Sequence, residues 1–93
     1  MRKELGNFMR VEPMRGPNGP VKNQFIIHTD KGCVFQSYNT VIAARLDDRV
    51  LLDRRSWDYS RTTGKYRNLF LDEGIEDTRR KINSGTYELA DLN

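Results

Sequence analysis

The chain has 93 residues, 37% of them hydrophobic and 31% charged, enough for one domain with a lean core, since a fold of this size buries only about 60–65% of its unfolded surface. Apolar runs are a few residues long, so no membrane span is expected, and Met1-Arg2-Lys3 leads into Glu4, Gly6 and Asn7 without the apolar stretch of a secretory signal. A single cysteine excludes an internal disulfide and fits a reducing cytoplasm, while a net charge of +3 is too small to imply a polyanionic partner by itself.

Along the chain, Asn7 to Glu12 alternate weakly and stop at Pro13, which predicts a short edge strand. Arg15 to Pro20 is dense in Gly, Pro and Asn and reads as a surface loop with a mobile tip. Val21 to Thr29 and Cys33 to Tyr38 are β-branched and aromatic runs joined by Asp30-Lys31-Gly32, a hairpin signature. Val41 to Leu46 and Arg49 to Asp53 make a second pair, with Asp47-Asp48 as a solvated turn and not a metal site. After Ser56 the period changes. Tyr66, Leu69 and Phe70 fall at i, i+3 and i+4, with Arg61, Lys65 and Asn68 on another face, which predicts a helix of about three turns ending near Gly74. A second helix is expected over Ile75–Ser84, with Glu76 and Asp77 at its start and Arg79, Arg80 and Lys81 at its end, as the helix dipole favours. Thr86 to Leu92 alternates and predicts a last short strand. The expected fold is α+β: one domain over residues 1–93, an antiparallel meander of four to five strands packed by one or two C-terminal helices. A small core would gain from self-association, so a homodimer is expected, through the apolar C-terminal segment around Tyr87, Leu89 and Leu92.

Function is most legible between Arg54 and Leu71, where aromatics, hydroxyls and cations are interleaved at a helix start. Ser60, Thr62 and Thr63 are of the types that cap helix N-termini, where free N–H groups attract anions. Arg54, Arg55, Arg61, Lys65 and Arg67 place five cations in fourteen positions against the single acid Asp58. Arginine forks pair with phosphate, and rings such as Tyr59 and Tyr66 stack unpaired bases, so this segment is the candidate RNA-binding surface; Trp57 is expected in the core. A plainer reading has Trp57, Tyr66, Leu69 and Phe70 anchoring the helix while the cations are solvated. Arg- and Tyr-rich surfaces also dock on proteins, which leaves direct inhibition of a host nuclease effector or polymerase subunit as an alternative.

Catalytic apparatus is not evident. Thr62-Thr63-Gly64-Lys65 lacks the upstream glycine of a phosphate loop and is followed by Tyr66, where that loop has Ser or Thr. His28 has no second Cys or His at ligand spacing, and Cys33 reads as a half-buried strand thiol, so both are taken as structural and no metal or other cofactor is expected. The expectation is a binding protein, not an enzyme.

The blocks Phe35-Gln36-Ser37-Tyr38-Asn39-Thr40-Val41-Ile42-Ala43 and Trp57 to Leu71 resemble a family of small proteins encoded by tailed bacteriophages, and within it the small basic proteins of T-even-like phages, including toxin inhibitory factors that neutralise the endoribonuclease toxin of type III toxin–antitoxin systems. The resemblance covers residues 24 to 92. It implies an RNA-binding, dimeric, antitoxin-like protein acting in the cytoplasm of an infected bacterium, and it carries over no site residues.

Overall fold

A computed structural model of the protein describes residues 2–93. A 3-10 turn, Lys3–Leu5, precedes five strands: β1 (Phe8–Gly16), β2 (Gly19–Thr29), β3 (Gly32–Ser37), β4 (Thr40–Leu46) and β5 (Val50–Asp53). Two helices follow, α1 (Arg61–Leu71) and α2 (Ile75–Asn83), and β6 (Tyr87–Ala90) closes the chain. One sheet contains all six strands in sequence order, antiparallel from β1 to β5, with β6 parallel to β5. The parallel ending follows from the helices, because a crossover through α1 and α2 returns the chain to the edge in the direction of β5.

Alternation along the strands sorts the core into two faces. Phe35, Ile42, Ala43 and Leu52 meet Phe70 and Leu71 of α1 and Tyr87, with the rings of Phe35 and Phe70 5.8 Å apart. On the opposite face Val34, Val41, Ala44 and Leu51 pack with Leu5 and Leu92 from the two ends of the chain, with Ile27, Leu46 and Ala90 half-buried around them. Side chains hold those ends down: Thr29 Oγ1 donates to the Leu5 carbonyl at 2.7 Å, the Leu92 N–H donates to Asp53 Oδ1 at 2.9 Å, and the Asn93 amide exchanges two hydrogen bonds with the backbone of Val41.

The α+β class, the helix pair and the last strand agree with the sequence reading, and several details differ. Arg15 to Pro20 is not a mobile loop: β1 runs through Pro13 to Gly16, β2 begins at Gly19, and only Pro17-Asn18 form the turn. An edge strand tolerates Pro13, since it has no neighbour on its outer side. Helix α1 stops at Leu71, where Asp72 takes the left-handed conformation (φ 56°) and sends its N–H back to Asn68 and Leu69, so Gly74 instead opens α2. Leu69 was expected in the core but is 51% exposed; the packed face of α1 is Thr63, Arg67, Phe70 and Leu71. Tyr87 and Leu92 are buried within the subunit, which withdraws them from the expected dimer contact. Among the described residues no helix is long and apolar enough to cross a membrane.

Candidate nucleic-acid interface

The site is organised by the start of α1. Ser60 is extended (φ −153°), and its Oγ accepts the Thr63 N–H at 3.1 Å while its carbonyl accepts the Gly64 N–H at 2.9 Å. This caps the helix as the sequence suggests and leaves the N–H groups of Arg61 and Thr62 at the positive end of the dipole. The first turn contains no acid.

The nine residues expected to touch nucleic acid separate into four groups. Tyr59, Arg61 and Lys65 share a shallow depression of about 540 Å³ with Asp58, Asn68 and Arg79. Tyr59 is 53% exposed, Arg61 and Lys65 are exposed, and no carboxylate pairs with either cation among the described residues. Thr62 is exposed on the same first turn. Tyr66 is half-buried against the core, and Lys65 Nζ lies 5.3 Å from its ring centroid, so that ring supports the helix and covers little free area.

Arg54 and Arg55 stand apart. Arg54 fastens β6, with Nε 3.4 Å from Asp91 and Nη2 donating to the Leu89 carbonyl at 3.3 Å. Arg55 lines a different depression together with Arg2, Asp53 and Asp91.

Thr63 and Arg67, expected to touch nucleic acid, are committed to internal partners instead, although Arg67 also lines the depression shared by Tyr59, Arg61 and Lys65. Both are 1% exposed. Thr63 Oγ1 lies 3.4 Å from Ser37 Oγ, joining α1 to β3. Arg67 Nη1 donates to the Trp57 carbonyl at 2.6 Å and to Asp58 Oδ1 at 3.2 Å, Nη2 donates to Asn68 Oδ1 at 3.1 Å, and the guanidinium lies 5.4 Å from the Trp57 ring centroid. A buried guanidinium is tolerated because both Nη groups find fixed acceptors and the plane meets a ring, while Nε is buried with no acceptor among the described residues. It ties the turn before α1 to the helix, which explains why Trp57 is half-buried beside it.

Sequence reasoning missed Arg79. Nη2 of this α2 residue lies 3.3 Å from Asp58 Oδ2, bringing a third cation to the rim of the depression. Its place beside Arg80 and Lys81 is accounted for by the helix dipole alone, and the contact with Asp58 spans 21 positions, so nothing local marks it.

Elsewhere, Glu73 collects hydrogen bonds from Thr78 Oγ1 (2.6 Å), Lys81 Nζ (2.6 Å) and Tyr87 Oη (2.8 Å), linking α2 to β6. Burial pushes its carboxyl up, but those three donors outweigh burial and hold it below the usual range. His28 and Cys33 are cross-strand neighbours on β2 and β3. His28 Nε2 donates to Glu12 Oε2 at 2.8 Å, and Cys33 Sγ lies 3.5 Å from Nδ1. Among the described residues no group of three His, Cys, Asp or Glu side chains forms a metal site.

Residues 9–86 match a family of unknown function, DUF8033. No curated protein and no solved structure matches the chain.

Proposed function

We propose, from a chain that belongs to the DUF8033 family and from the geometry at the start of α1, that the protein is a non-catalytic RNA-binding protein whose contact surface is Tyr59, Arg61, Thr62, Lys65 and Arg79. The observation that carries this reading is a capped helix start with no acid in its first turn, two exposed cations that have no carboxylate partner among the described residues, and an exposed ring beside them. Phosphates take the cations and the free N–H groups, and an unpaired base takes the Tyr59 ring. Contacts of this kind follow the backbone and read little sequence. In the phage setting that the two sequence blocks imply, the protein acts in the host cytoplasm and blocks a toxin endoribonuclease through the RNA.

A second reading rests on a different observation. A cleft of about 600 Å³, lined by Met14, Ile26, Leu69 and Phe70 with Arg15 and Arg45 at its rim, would suit an apolar side chain of a host protein better than a base. Pull-down from infected cells with and without ribonuclease separates the two. Capture of the host target that disappears on ribonuclease treatment supports the RNA reading; capture that persists, with no nucleic acid in the purified protein, supports direct docking.

A further inference from the structure

Three of the six large apolar side chains exposed among the described residues, Phe8 (60%), Met9 (65%) and Val11 (51%), fall within four positions of β1. That strand is one edge of the sheet, so its outer N–H and C=O groups have no strand to meet. Edge strands are commonly blunted by charges or kept short, because apolar edges recruit further strands. Here the ladder with β2 is regular from Arg10 to Pro13, between irregularities at Met9 and Met14, and Pro13 limits the run at one end. Arg10 lies opposite His28 and Glu12 opposite Ile26, on the helix-covered face of the sheet; Val11 lies opposite Ile27, on the other.

We propose that β1 is a homodimer interface, pairing antiparallel with β1 of a second copy about a two-fold axis at Val11, so that the two sheets become continuous. A two-fold axis perpendicular to the sheet keeps each face on its own side, and only registers that place like faces together are allowed. Of the three central ones, an axis at Arg10 sets that cation against itself, and an axis at Glu12 sets that carboxylate against itself. An axis at Val11 sets Arg10 opposite the partner's Glu12, twice, with Val11 against the partner's Val11 on the other face. Opposite charges directly across a strand pair are favourable and like charges are not, so charge selects the register.

In the monomer Arg10 and Glu12 pair with each other within the strand, through one carboxylate oxygen, and the other oxygen is left over. Arg10 and His28 each contact Oε2 of Glu12, at 2.7 and 2.8 Å, and among the described residues nothing donates to Oε1. The side chain of Arg10 is 65% exposed. The occupant is therefore a chain carrying a basic and an acidic residue two positions apart on an exposed strand, which this chain supplies itself.

The test is sedimentation velocity on the full chain and on two charge-reversal variants, Arg10→Glu and Glu12→Arg, alone and mixed in equal amounts. The unaltered protein sediments as a dimer at micromolar concentration. Each variant alone sets like charges opposite one another and is expected to sediment as a monomer with its circular dichroism unchanged. The mixture pairs an acidic strand with a basic one and restores the dimer. An unaltered protein that is monomeric, variants that each remain dimeric, or a mixture that stays monomeric overturns the proposal. The mixture also controls for folding, since a misfolded variant cannot be rescued by the other.

Discussion

Replacing Arg67 with methionine separates a structural role from a ligand contact. The substitution keeps an unbranched stem and removes the guanidinium, with its hydrogen bonds to Trp57, Asp58 and Asn68. Asp58 retains Arg79 at 3.3 Å and Asn68 is half-buried, so the main loss falls on the Trp57 carbonyl. A buried polar group deprived of its partner costs about 1–3 kcal/mol, and the lost contact with the Trp57 ring adds about 0.5–2 kcal/mol. Removing Nε, which is buried without an acceptor, returns about 1 kcal/mol. The net loss is about 0.5–4 kcal/mol, and at roughly 4–8 °C per kcal/mol for a domain of this size the melting temperature falls by about 2–30 °C. Arg67→Ala also loses stem packing, for about 2 kcal/mol more. Thermal melts followed by circular dichroism read both changes, and RNA affinity measured well below the melting temperature is expected to hold. A melting temperature unchanged within about 1 °C, together with a tenfold loss of RNA affinity, would refute the assignment and return Arg67 to the contact surface.

Three further outcomes rest on particular contacts. Phe70→Ala removes a buried ring stacked near Phe35 and is expected to cost about 3–5 kcal/mol in urea denaturation, whereas Leu69→Ala, on the exposed side of the same helix, stays within about 0.5 kcal/mol; equal costs would mean the helix is rotated. Gly32 sits at φ +150°, and a Cβ there would collide with the Arg45 carbonyl oxygen, so Gly32→Ala is expected to displace β4 and lower the melting temperature; an unchanged melt contradicts the close approach. Glu73 and Asp53 both have carboxyls held below their usual range: at each, burial raises the value, and donors, Lys81, Thr78 and Tyr87 for the first, Ser56 and the Leu92 N–H foremost for the second, outweigh it. A lowered folded value means the unfolded chain takes up protons first, so the stability they contribute is present above about pH 4–5 and is lost as pH falls through the folded values. Urea denaturation between neutral pH and pH 3 checks this, with a smaller loss expected in Glu73→Gln; an identical pH slope in that variant contradicts the role of Glu73.

Periodicity carried the helices because each keeps one face apolar, as in Phe70 and Leu71 on α1, and carried β3 as an apolar run because Val34 and Phe35 are buried on opposite faces of the sheet. It misassigned Leu69, which stands one position from Phe70, since a spacing rule places a stripe only to within a residue and the sheet decides which side is covered. The turn at Pro17-Asn18 was masked by flanking glycines and prolines that serve in an edge hairpin as readily as in a loop. The direction of β6 was not legible, because strand polarity is set by the crossover and not by the strand. At the site, the capping by Ser60 and the exposure of Tyr59, Arg61 and Lys65 follow from local chemistry. Burial of Arg67 depends on acceptors that the fold brings to it, the Trp57 carbonyl above all, and its spacing in sequence resembles that of a solvated cation. Arg79 joins the site only because the fold brings α2 within reach of Asp58, in the turn before α1.

Fluorescence anisotropy of a labelled single-stranded RNA, titrated at several salt concentrations with the unaltered protein and with the double variant Arg61→Glu, Lys65→Glu, tests the RNA interface most directly. The account predicts binding that weakens steeply with salt, roughly in proportion to the number of phosphates contacted, and a folded double variant whose binding is abolished at every salt concentration. A folded double variant that binds the RNA with the same affinity and the same salt slope as the unaltered protein would contradict it.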